Sequence, residues 1–217
     1  MGRIALTVAV LTVAACTGRA STAPTTTTAP PTTDATPSAP REVHPIRAAL
    51  AAALPTANDL AWLPAGTSAT LDVDLTDRLV FVGCSAAPHR VASNEASATN
   101  VVLEHSGERL AKVTYYDAAT TDDAAQFMAG VRAFLRCPNQ GASVSAALLP
   151  LAAPTLCDDT LALRTRQPVS ETVDAWCRVG NLVAWLHLDP QGAVAPTDAQ
   201  AIATIDDVGT RLGALFA

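Results

Sequence analysis

Aromatic side chains make up only 4% of this 217-residue chain, and lysine occurs once, at Lys112. A core so poor in large rings has to be built from alanine, valine and leucine, within a hydrophobic content of 49%. With scattered arginines and a net charge of −6, the chain has no concentrated basic surface for a nucleic acid to grip. The GxSxG elbow, the HExxH helix, the Gly-rich phosphate loop and the CxxC pair are all missing. His44, His89, His105 and His187 lie far from one another, so neither a metal site nor a cofactor is expected. No apolar run reaches the length of a comfortable bilayer span.

The apolar run that does exist, Ile4 to Ala15, comes after a basic head formed by the amino terminus and Arg3 and ends in Val13-Ala14-Ala15-Cys16. This is the layout of a lipoprotein export signal, with residues 1–15 removed and Cys16 lipidated. Cys16 would take a diacylglycerol on sulfur and, in some organisms, a further acyl chain such as palmitate on its freed amine. Several buried chains hold a protein at a membrane where a single one is marginal. An ordinary secretory signal with a coincidental cysteine is the plainer alternative. The composition beyond Cys16 favours the anchor. Residues 17–40 are almost entirely Thr, Pro, Ala and Ser, with Arg19 and Asp34 as their charges. No apolar periodicity there repays the entropy of ordering, so residues 16–40 read as a disordered tether. Its reach lies between about 25 Å as a coil and about 75 Å when extended. The threonine clusters are also candidate acceptors for O-linked sugar.

Residues 41–217 have the size of a single domain. Once Cys16 is lipidated, Cys84, Cys137, Cys157 and Cys177 remain, an even number in an oxidising compartment. Two disulfides are expected, with three connectivities open. Pro45 to Leu54 reads as a short alanine-rich helix and Leu79 to Cys84 as a buried strand. Asn100 to His105 and Leu110 to Tyr116 flank Ser106-Gly107-Glu108, a hairpin signal. Thr120 or Thr121 caps a helix whose apolar face is Ala124, Phe127, Met128, Val131, Phe134 and Leu135, and Pro138 stops it. Strands come next at Thr160 to Arg166 and Thr172 to Leu188, then a helix from Thr197 to Phe216 with Ile202, Ile205, Val208, Leu212 and Leu215 inward. The sum is an α+β domain, an antiparallel sheet with helices packed mainly on one face.

The strand at Thr172 to Leu188 holds the sharpest pattern. Val173, Ala175, Cys177 and Val179 alternate on one parity, while Leu182, Ala184, Leu186 and Leu188 alternate on the other. A bulge at Gly180-Asn181 reconciles them. The opposite face then gathers Asp174, Trp176, Arg178, Asn181, Trp185 and His187, a candidate binding surface, or else a second core layer if the strand is covered on both sides. Pairing Arg164 opposite Asp174 places Leu161 and Leu163 on the core side.

Several of these segments carry a family resemblance: Tyr115-Tyr116-Asp117 with Asp122 to Cys137-Pro138, then Asp158-Asp159-Thr160-Leu161-Ala162-Leu163-Arg164, then Arg178-Val179-Gly180-Asn181-Leu182-Val183. Together with Leu54-Pro55-Thr56-Ala57-Asn58-Asp59-Leu60, they resemble the actinobacterial extracytoplasmic sensor-type domain, found on serine/threonine kinases and on free-standing lipoproteins. The resemblance covers most of residues 45–217. It implies an antiparallel sheet with helices on one side, a ligand cleft and no catalytic residues. It also implies a disulfide tying a strand to a helix end, Cys84 with Cys137, which leaves Cys157 with Cys177. In the register above, Cys177 faces Leu161, four residues from Cys157 and about 13 Å along an extended strand. A disulfide spans at most about 7 Å between Cα atoms, so the chain must double back at Asp158-Asp159 or the register must shift.

The doublets Asp122-Asp123, Asp158-Asp159 and Asp206-Asp207 read as a helix start, a turn and a solvated helix face, because adjacent carboxylates diverge. His187 beside Asp189-Pro190 reads as a surface residue rather than a general base. The expected protein is a lipid-anchored, extracytoplasmic, monomeric and non-catalytic sensor or ligand-binding module. Its expected partners are the membrane, through its lipid, and a small ligand or an envelope protein. An envelope scaffold and a carrier of lipid or another apolar molecule are the alternatives.

Overall fold

Apolar alternation on both parities is the dominant instruction in this sequence, and it produces a sheet buried on both faces. The computed structural model describes residues 41–72, 80–82, 88–90, 99–135, 145–149, 156–166, 170–189 and 195–217. The export signal, Cys16, the tether, Cys84 and Cys137 lie outside the described residues. Seven strands form one antiparallel sheet: β1 (Ser68–Asp72), β4 (Thr99–His105), β5 (Glu108–Asp117), β6 (Ser145–Leu148), β7 (Asp159–Arg166), β8 (Glu171–Val179) and β9 (Leu182–Leu188). Their spatial order is β1-β4-β5-β9-β8-β7-β6, so β9 is central. Strands β2 (Val80–Val82) and β3 (Pro88–Arg90) pair separately. The helices are α1 (Arg47–Ala53), α2 (Thr121–Leu135) and α3 (Asp198–Ala214).

The predicted bulge is instead a hairpin turn. Val179 pairs with Leu182 across Gly180-Asn181, and Gly180 takes φ +57°, the left-handed backbone such a turn needs at its first position. Cys177 then lies opposite Ala184 and Ala175 opposite Leu186, which keeps both apolar sets on one face, as a bulge would have. At the other predicted hairpin, Ser106 (φ 54°) and Gly107 (φ 82°) make the turn between β4 and β5.

Helices α1 and α3 pack on one face of the sheet, the expected main helical face, and α2 packs on the other. Leu50 and Leu54 from the α1 segment, and Ile205, Val208 and Leu212 from α3, pack on Leu103, Val113, Tyr115, Ala175 and Leu186. On the reverse face, Ala124, Phe127, Met128 and Val131 of α2 pack on Tyr116, Leu161 and Val183. Each helix is fixed locally. Thr120 Oγ1 accepts from Asp123 N at the start of α2, and Thr197 with Gln200 forms a capping box at α3. The buried Tyr115 hydroxyl donates to Ala53 O (3.1 Å) at the end of α1, and burial pushes its pKa upward.

The β7–β8 register also differs by one residue from expectation. Leu163, not Arg164, lies opposite Asp174, and Thr160 lies opposite Cys177. One residue flips every side chain, so Leu161 and Leu163 face the α2 side. Arg164 faces the α3 side, 7% exposed, where it donates to Asp198, Glu171 and Pro196 O. The shift also resolves the strained disulfide. Asp158 N donates to Arg178 O, the chain bends ahead of β7, and Cys157 bonds Cys177 with Cα atoms 5.5 Å apart. This is the one disulfide among the described residues, and Gly209 of α3 makes room for it, since a Cβ there would lie 2.9 Å from the Cys157 sulfur.

The segment ahead of α1 is strapped across the β8–β9 turn. Asn181, fully buried, accepts from Val43 N (2.8 Å) and donates to Val43 O (2.8 Å), Asp117 Oδ1 (2.8 Å) and Ala118 O (3.2 Å). Arg41 donates to Asp158 and sits 5.5 Å above the Phe216 ring. Glu42 accepts from Thr121 N, placing a carboxylate at the positive end of α2. A Cβ on Gly180 would fall 2.2 Å from Arg41 O. Truncating Asn181 to alanine orphans several buried groups, and the expected loss is about 2–4 kcal/mol in urea unfolding. Gly180→Ala should cost about 2 kcal/mol through strain and collision. A loss below about 1 kcal/mol in both variants contradicts this account of the turn.

A second lock joins the turn after α1 to α3. Asp59 accepts from Thr56 N and Oγ1 and pairs with Arg211, which also holds Asp207. The hydrogen bonds from Thr56, helped by Arg211, hold the Asp59 carboxyl below its ordinary value of 3.8. Its contribution is therefore full above that ordinary value and lost as pH falls through the lower folded one. Asp59→Asn should lower the Tm at neutral pH, with the gap to the parent closing below the ordinary value of 3.8. A pH-independent gap rules out the linkage.

Candidate functional site

The face of β5, β9 and β8 that carries α2 gathers most of the chain's unusual polar chemistry. Pleating puts Lys112, Thr114 and Tyr116 of β5 on this face, with Val183, Trp185 and His187 of β9, and Asp174, Trp176 and Arg178 of β8. Cross-strand pairing sets them in rows. Lys112 lies beside His187 and His187 beside Asp174, while Asn100 of β4 lies beside Thr114, Thr114 beside Trp185 and Trp185 beside Trp176. Helix α2 covers the Tyr116–Val183 end, and both tryptophans are partly buried against that cluster.

Asp174 organises the exposed end. Its Oδ1 accepts from the Trp185 indole N–H (3.1 Å) and from His187 Nδ1 (2.8 Å). An ionised carboxylate only accepts, so Nδ1 carries a proton and donates it to Asp174. Nε2 lies 3.9 Å from Asp189 Oδ2, beyond hydrogen-bond reach. The Trp185 and His187 rings are tilted by 47° at 5.8 Å. His187 is thus a half-buried, oriented side chain and not a free surface residue; its side chain is 23% exposed. Two further polar atoms in the tryptophan row, Asn100 Oδ1 and Thr114 Oγ1, are buried with no hydrogen-bond partner among the described residues.

The five residues singled out from the sequence separate into two places. Trp176, Trp185 and His187 come together, and Asp174, which sequence reasoning put on this face without giving it a role, binds Trp185 and His187. Arg178 and Asn181 belong to the turn instead. Arg178 Nη1 donates to Gly180 O (3.1 Å) and lies 3.8 Å from Asp158, while the hydrogen-bonding capacity of Asn181 is used internally. Asn100 and Thr114 were missed because β4 and β5 align with β9 only in the folded sheet; no local signal in the sequence marks them. The acidic doublets do not form carboxylate pairs. Asp159 binds Arg132, Asp158 accepts from Gly180 N, and Asp123 accepts from Thr120 Oγ1 in the first turn of α2.

No protein-family model matches the chain. No curated protein matches it either. Among solved structures, the chain is similar to the extracellular domain of PknH from Mycobacterium tuberculosis, with 13% identity and a TM-score of 0.44. The match covers 79% of this chain and 100% of that one.

The Asp174–Trp185 bond is open to a double-mutant cycle. Trp185→Phe deletes the indole N–H and Asp174→Ala its acceptor. Each should cost about 1 kcal/mol, and the double variant about 1 kcal/mol less than the sum. Additivity within about 0.3 kcal/mol means that the bond contributes nothing.

Proposed function

We propose that this chain is an exported, lipid-anchored envelope protein whose domain binds a ligand without catalysis, as a sensor-like or solute-binding module. The ligand-binding part is carried by the pair of adjoining, half-buried indoles beside an oriented Asp174–His187 couple. Ligand sites combine apolar surface with a few fixed polar groups in this way. His187 has no hydroxyl or thiol within hydrogen-bond distance among the described residues, so the arrangement suits recognition better than nucleophilic attack.

The Cys157–Cys177 disulfide supports an oxidising, extracytoplasmic compartment. The run ending in Val13-Ala14-Ala15-Cys16 supports the lipid anchor, and the Thr/Pro-rich residues after it support a tether. In this reading the membrane is reached through acyl chains on Cys16, and the domain stands off from it at the end of the tether.

Radiolabelled palmitate fed to the producing cells should enter the parent protein and not Cys16→Ser, and the variant should leave the membrane fraction. Unlabelled parent protein found in the cytosol rejects the anchor. Native mass spectrometry of the protein taken from its own host should show a retained small molecule that Asp174→Ala releases. A bare polypeptide-plus-lipid mass in every preparation rejects the ligand reading.

A further inference from the structure

The seven-stranded sheet ends in β1 on one side and β6 on the other. Each leaves its outer row of backbone N–H and C=O groups without a strand partner among the described residues. Such edges are usually protected by a charged side chain, a proline, a bulge or a covering element. From Ser68 to Leu71, β1 has none of these. Its register with β4 runs without a shift, and Ser68, Ala69, Thr70 and Leu71 are all exposed, Leu71 by 50%. Alternate residues point to opposite faces, so both faces of this strand are open to solvent.

The sequence of β1 suits one occupant, a second copy of itself. The antiparallel register that pairs all 5 residues is centred on Thr70. Thr70 then faces the second copy's Thr70, while Ala69 faces Leu71 and Leu71 faces Ala69. Two hydroxyls meet on one face, and a small apolar residue meets a large one on the other. Within the chain, Ala69 lies beside Leu103 and Leu71 beside Val101, both buried. The apolar row Leu103–Ala69 therefore runs on into the second copy's Leu71 and Val101, and the two copies of Leu71 lie on a diagonal within reach of each other. A slip by one residue sets Thr70 against Leu71 and turns every side chain to the wrong face. Strand β6 has no such match, because its antiparallel self-pairing sets Ser145 against Leu148. We propose that β1 pairs with β1 of a second copy of this chain, joining the two seven-stranded sheets across a two-fold axis, in place of the monomer that the sequence alone suggests. The contact is one strand wide, so it belongs with the small, weak interfaces.

Sedimentation equilibrium of the full chain, in a detergent matched to the solvent density, provides the test. The parent should dimerise with a Kd at or below about 0.1 mM. Thr70→Lys and Thr70→Glu alter an exposed side chain, so each should keep the fold of the parent. Each alone sets like charges directly opposite one another and should weaken the dimer about tenfold or more. An equal mixture of the two sets opposite charges there and should recover association to within about threefold of the parent. Oxidation of Thr70→Cys should link two chains through the introduced sulfurs, identified from the mass of the joined peptides, and oxidation of Ala147→Cys on β6 should not. A parent still monomeric at about 0.1 mM overturns the inference. So does a dimer that both charged variants leave intact, a mixture that recovers nothing, or a crosslink that forms through Ala147→Cys instead. Growth into open strings of molecules overturns it as well, because that requires β1 of one copy to meet a different surface on the next.

Discussion

The carboxamide of Asn181 is the constraint on which most of the fold's coherence rests. It is fully buried and joins two parts distant in the chain: the strap at Val43, and the end of β5 at Asp117 with Ala118 next to it. Buried amides are tolerated only when both oxygen and nitrogen are satisfied, so these parts cannot drift independently without orphaning one another. The turn at Gly180 adds a steric condition, because the strap carbonyl of Arg41 and the ring of Phe216 occupy the space a side chain would need. Polar geometry and close packing therefore fix the same place. Three residues before Gly180 on β8, about 10 Å along the strand, the Cys157–Cys177 bond ties the approach to β7 onto β8 beside α3.

How far the sequence foretells this depends on whether the deciding contact is local. Helix α2, helix α3 and the β4–β5 hairpin are written in short-range periodicity and turn residues, and they form where expected. The change of parity between Val179 and Leu182 is equally local, but two devices produce it. An inserted residue in one strand and a tight hairpin put the same side chains on the same face, so the face was legible while the strand count was not. The β7–β8 register was not legible at all. Leu161 and Leu163 have one parity, Ala162 and Arg164 the other, and all four are buried because both faces are covered. Hydrophobicity cannot choose between them. The choice falls to the ion pairs that bury Arg164 against Asp198 and Glu171, and Asp198 lies on α3, far along the chain.

The candidate site shows the same division. Its aromatic and imidazole members were visible as the polar parity of a strongly alternating segment. Their separation from Arg178 and Asn181 was not, because the pattern records the face of a strand and not the position along it. Asp174 and Arg178 are four residues apart on β8, about 13 Å, far enough to belong to different neighbourhoods. Asn100 and Thr114 join the site through β5 and β4, whose alignment with β9 is a property of the whole sheet.

These two neighbourhoods give the β8–β9 hairpin a direction. At its turn it holds the strap. Along its length it carries the indoles, and toward its open end Asp174 pairs with His187. The turn end is over-determined by hydrogen bonds, a disulfide and close contacts, so it behaves as a rigid base. The indole end has part-exposed rings and, among the described residues, unpartnered polar atoms at Asn100 and Thr114, and such under-satisfied groups are where a fold retains the capacity to take a partner. A ligand there would contact the same two strands that grip the strap, with no intervening element. The same hairpin thus has a rigid end at its turn and a less constrained end at Asp174 and His187.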